Sequence, residues 1–114
     1  MFKDKTEASK ELRSIANIIC HILDDLDFAL KGPNQKKLMS PEEVDASLKM
    51  IDSLHETGEI LMSTWPINSK DYYEGFFSKT SLFSKRLSQT KNYDAHVSIV
   101  ASIDEYRHLL QLQP

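Results

Sequence analysis

The chain has 114 residues, with 14 Lys and Arg against 17 Asp and Glu, 40% hydrophobic residues, three Gly, four Pro and one Cys. A chain of this length buries roughly two thirds of its unfolded surface, so a core forms without a disulfide or a structural metal; one cysteine excludes an internal disulfide and fits a reducing, cytoplasmic setting. The charged start from Met1 to Glu7, and Asn17 and His21 within the most apolar stretch, exclude a signal peptide and a membrane span, while a formal charge of -3 argues against a general nucleic-acid-binding surface.

Over residues 4–30, Leu12, Ile15, Ile19, Ile22, Leu26 and Ala29 recur at intervals of three and four, with Ala16, Leu23 and Leu30 beside them, as in an amphipathic helix. Lys31-Gly32-Pro33 is its stop: a cation, a permissive glycine and a breaker. A polar connection with Asn34, Gln35, Lys36 and Lys37 follows. Ser40-Pro41-Glu42-Glu43 then opens a second helix over 41–64, with Ser40 as N-cap, Pro41 where no N–H is needed and Glu43 placed to close a capping box. Its stripe runs Val44, Leu48, Ile51, His55, Gly58 and Met62, flanked by Leu54 and Leu61, and Pro66 ends it. Ser69 is placed to cap a third helix over 70–90, whose inward set is Tyr72, Tyr73, Phe76, Phe77, Thr80, Phe83 and Leu87. Gly75 and the many Ser and Thr between Ser78 and Thr90 leave this helix to be held by packing. A fourth helix over 93–112 follows Asn92 and carries Tyr93, Val97, Val100, Ile103 and Leu110, with Ile99 and Tyr106 beside them. Four helices, short connections and no strand-type alternation predict a single domain over residues 1–114: an all-α, antiparallel up-down-up-down four-helix bundle.

Histidines among carboxylates in such a frame raise the question of a metal centre. Asp52-x-x-His55 and Glu105-x-x-His108 have the spacing with which di-metal bundles present ligands. The apolar stripe of the fourth helix, however, turns Glu105 and His108 outward, and Asp24, Asp25 and Glu74 lie outside the stripes of the other helices. His55-Glu56-Thr57-Gly58 loosely resembles the phosphoacceptor stretch of histidine phosphotransfer domains, which are four-helix bundles of this size. That resemblance covers four residues, and Glu56 and Glu59 stand where small and basic residues follow the histidine in that family. Cys20 and His21 are neighbours on a helix, so their side chains point about 100° apart and form no dyad. Cys20, among isoleucines, reads as a packing residue with a raised thiol pKa. No Gly-rich phosphate loop, nucleophile elbow or zinc spacing occurs. No enzyme activity, cofactor or metal is expected.

Two features rise above this background. The second helix carries Asp45, Asp52, Glu56 and Glu59 within about 60° of one another, an acidic stripe beside the core face. Asp52 and Glu56 form a like-charged i, i+4 pair. Against this stripe stand Lys79, Lys85, Arg86 and Lys91 in a stretch free of acids, available for internal pairing. The second feature is aromatic: Trp65, Tyr72, Tyr73, Phe76, Phe77 and Phe83 cluster around the turn between the second and third helices. Together they suggest a non-catalytic, intracellular protein-binding bundle, an adaptor of the immunity, antitoxin, chaperone or regulator type. In this reading Asp45, Asp52, Glu56 and Glu59 steer a basic partner, and Trp65, Tyr72, Tyr73 and Phe77 anchor it or a second copy of the chain. The alternative is a histidine phosphotransfer or metal-binding bundle centred on His55.

Overall fold

The computed structural model describes residues 4–31 and 39–112. It contains α1 (Lys5–Leu30), α2 (Pro41–Thr64), α3 (Lys70–Thr90), a 3-10 turn (Tyr93–His96) and α4 (Val97–Leu109). Among the described residues there is no strand. The four helices form an elongated body of 47 × 25 × 21 Å. α1 packs on α2, α2 on α3 and α3 on α4, so the all-helical four-helix bundle expected from periodicity is the fold observed. Among the described residues no helix is long and apolar enough to cross a membrane.

The start of α2 follows its local sequence. Ser40 Oγ accepts from the Glu43 N–H at 3.2 Å, and Glu43 Oε1 accepts from the Ser40 N–H at 3.1 Å, a complete capping box worth about 1 kcal/mol. α1 is capped by Asp4, whose Oδ1 accepts from the Glu7 N–H. The cap expected at Ser69 is not made. A side-chain cap needs extended backbone at the capping residue, and Ser69 is left-handed, with φ 63°. Its carbonyl instead accepts from the N–H groups of Tyr72 and Tyr73. The stop at Gly32-Pro33 and the polar connection lie outside the described residues.

The buried faces are largely those read from the sequence. Leu12, Ile19 and Leu26 of α1, Ile51 of α2, Phe76, Phe77, Phe83 and Leu87 of α3, and Ile103 of α4 are fully enclosed. The last helix departs from expectation, because residues 93–96 form a 3-10 turn and the α-helix begins only at Val97. In a 3-10 turn, side chains i and i+3 eclipse. Tyr93 and His96 therefore both face Phe83, edge-on, with ring centroids 5.9 and 6.4 Å away. His96 Nε2 is hydrogen bonded to Thr90 Oγ1 at 2.8 Å. This change of phase turns Val97, expected inside, out to solvent at 52% exposure. Tyr72, also expected inside, is 45% exposed.

Gly75 is more than a weak point in α3. A Cβ there would sit 2.4 Å from the Tyr106 ring, so the glycine lets α3 and α4 come together. The closing α1–α4 seam is looser and polar. Arg107 Nη1 and Nη2 donate to the two Asp24 carboxylate oxygens at 2.8 and 3.2 Å, the Tyr93 hydroxyl donates to Asp27 Oδ1 at 2.6 Å, and Arg13 donates to the carbonyls of Leu110 and Gln111.

Candidate functional site

The acidic stripe of α2 borders a groove of about 570 Å³ between α2 and α3. Asp45, Asp52, His55 and Glu56 line one wall with Leu48 and Lys49; Ser81, Ser84, Lys85 and Ser88 line the other. The hydroxyl-bearing wall follows from the i, i+3, i+7 spacing of the serines, which puts them on one face of α3. Ser84 is buried, and its hydroxyl donates to the Leu48 carbonyl across the groove floor at 3.4 Å.

The four carboxylates of the stripe do not share one environment. Asp45 is half-buried and accepts from Lys91 Nζ at 2.9 Å, so the internal pairing open to the basic stretch of α3 is realised here and removes Asp45 as a steering charge. Glu59 Oε1 lies 3.1 Å from His55 Nε2. Asp52 and Glu56 are exposed, and among the described residues neither is in an ion pair. One turn beyond Glu56 on the same face stands Ile60, 64% exposed, an apolar group that the sequence reading passed over because it lies outside the core stripe.

His55 sits at the edge of the core. Its ring stacks on Phe77 with centroids 5.5 Å apart and an interplanar angle of 24°, and Nε2 is engaged by the Glu59 carboxylate. A phosphoryl group arriving at that nitrogen would meet an anion. Among the described residues no group of three or more His, Cys, Asp or Glu side chains is placed to hold a metal ion. Glu105 and His108 are both exposed on α4.

The aromatic corner separates into parts. Phe77 is fully buried, packed against His55, Tyr73 and Phe76, and Tyr73 is 6% exposed. Both belong to the core and neither is available as a partner anchor. α3 is covered by α2 on one flank and by α4 on the other, and this coverage keeps Tyr73 and Phe77 inside rather than at a docking surface. Trp65 is half-buried against the core. Tyr72 is exposed, and it lines a hollow with Ser69, Lys70 and Asp71 rather than the groove that the acidic stripe borders. Neither Trp65 nor Tyr72 lines the groove that the acidic stripe borders.

A second polar site was missed in the sequence. Asp24, Asp27, Tyr93, Asp104 and Arg107 line a cleft of about 270 Å³ between α1 and α4, over Leu23, Val100 and Ile103. Its only sequence signal is the i, i+3 spacing of Asp24 with Asp27 and of Asp104 with Arg107, next to apolar stripes. Burial and the carboxylate of Asp27 hold the Tyr93 hydroxyl protonated. Burial, opposed by Arg107, raises the Asp104 carboxyl above its ordinary value. Every described buried side-chain N and O atom has a hydrogen-bond partner, so the cleft reads as a satisfied polar seam that fastens α4 to α1.

Cys20 lies beneath this seam, wholly buried, and burial pushes its thiol up to about 11. Native protein is expected to resist iodoacetamide at pH 8 and to react only on unfolding, as followed by intact mass. The unfolded thiol, at about 9.0, loses its proton first. The folded state then holds more protons than the unfolded one, and the thiol's contribution to stability is lost as pH rises from about 9 to about 11.

No protein family, curated protein or solved structure matches the chain.

Proposed function

We propose that the chain is a non-catalytic protein-binding bundle, working in the cytoplasm as an adaptor, that docks a basic partner on the outer face of α2 beside the α2–α3 groove. The observation that supports this most is the Asp52–Glu56 pair. Two like charges at i, i+4 destabilise a helix by a few tenths of a kcal/mol, and within the described residues no cation sits in ion-pair range of either. A repulsion that no ion pair among the described residues offsets is relieved by a cation from a partner. Exposed Ile60 on the same face supplies an apolar contact of the kind that anchors such interfaces. A second copy docking by this face would bring acid onto acid, which favours a different, basic partner over self-association here.

The test compares wild-type bait with an Asp52→Lys, Glu56→Lys bait in affinity capture from the source lysate, at low and at high salt. The proposal expects a partner of basic surface whose capture weakens with salt and is lost with the double substitution, while the melting temperature is unchanged. Capture that survives the double substitution would place binding elsewhere.

A further inference from the structure

Where the first turns of α1 meet the α2–α3 turn and the end of α4, the surface forms a groove of about 460 Å³. Lys10 and Arg13 line it with the hydroxyls of Thr6, Ser9 and Ser69, over the half-exposed side chain of Leu109. Among the described residues no carboxylate lines it, although the formal charge of the chain is -3. α1 sorts its residues to make this so: Thr6, Ser9, Lys10 and Arg13 fall at i, i+3, i+4 and i+7 on one face, while Glu7 and Glu11 turn to another. Among the described residues neither cation is in an ion pair. Arg13 donates to the carbonyls of Leu110, at 2.9 Å, and of Gln111. These neutral acceptors fix the guanidinium in place without cancelling its charge.

We propose that this groove binds a small molecule carrying a phosphate group on an apolar body. A held guanidinium, an ammonium on a flexible stem and several hydroxyl donors match a dianion with three acceptor oxygens, and Leu109 offers the adjoining apolar contact. The site is separate from the α2 docking face and does not rest on it.

The test titrates phenyl phosphate into the full ¹⁵N-labelled chain at constant ionic strength, following the amides of Thr6, Ser9, Asn68 and Ser69, with Lys85 and Arg86 as exposed-cation controls. Saturable shifts confined to the groove are expected, with inorganic phosphate and benzoate both binding more weakly. Lys10→Glu, at an exposed position that the fold does not use, is expected to weaken binding about tenfold, and Leu109→Asp serves as an independent second variant. Three outcomes would overturn the site: no saturable shift, equal shifts at Lys85 and Arg86, or unchanged affinity in both variants. Benzoate binding as tightly as phenyl phosphate would overturn the phosphate assignment, and inorganic phosphate doing so would overturn the apolar body.

Discussion

Phe77→Ala is expected to lower the unfolding free energy by about 3–5 kcal/mol, the usual cost of removing a fully buried phenyl ring and leaving its cavity. The ring has no exposed surface and lies among His55, Tyr73 and Phe76, so the groups around it belong to two helices and cannot collapse together without moving α3 against α2. A domain of this size has only about 5–15 kcal/mol of stability to lose. Phe77→Leu, with a smaller expected loss, keeps the measurement readable if the alanine variant does not fold. Urea unfolding followed by circular dichroism gives the difference. A loss under about 1 kcal/mol, the level of an ordinary surface substitution, would return Phe77 to the surface role that its sequence context suggested.

Gly58→Ala has the second large effect, and its sign is diagnostic. In a helix interior alanine is favoured over glycine by about 1 kcal/mol, so on propensity alone the substitution stabilises α2. A Cβ at this position, however, would lie 2.7 Å from Phe77 Cζ and 2.9 Å from Cε2, and the ring is enclosed with nowhere to retreat. The expected result is a net destabilisation of about 1–3 kcal/mol from overpacking. In a Phe77→Leu background the same substitution should cost less or turn favourable, and the double-mutant cycle reads that coupling directly. Gly75 is the counter-case, since the Tyr106 ring that its Cβ would meet is half exposed and can swing outward.

These two substitutions mark where reading the sequence stops working. The periodicity of α2 places Gly58 on the core face, but it carries no sign that a ring from another helix occupies the space a methyl would need. Phe77 was legible as apolar and inward on the α3 stripe, and also as one of a surplus of aromatics at a corner. Choosing between core and surface required knowing how much of α3 its neighbours cover. On the candidate site, Asp52 and Glu56 were legible as a like-charged pair because both sit on one helix; that neither is in an ion pair among the described residues was not. Asp45 was not, because Lys91 is 46 residues away in the chain. The Asp24–Arg107 contact and the groove at Lys10 and Arg13 are harder still, since both join chain segments more than 80 residues apart.

The amino-acid order alone determined that there are four helices, the capping box at Ser40 and most of each buried face. These depend on backbone hydrogen bonds and side-chain spacings within a few residues, and those interactions are the same in any tertiary setting. Tertiary packing alone decided that Tyr93 and His96 turn together onto Phe83, that α4 starts at Val97, and that Tyr73 and Phe77 are core rather than contact. It also decided which acids of α2 keep their charge facing solvent. In each case the outcome depends on which side chains from a distant part of the chain arrive at a given face, and no local spacing encodes that arrival.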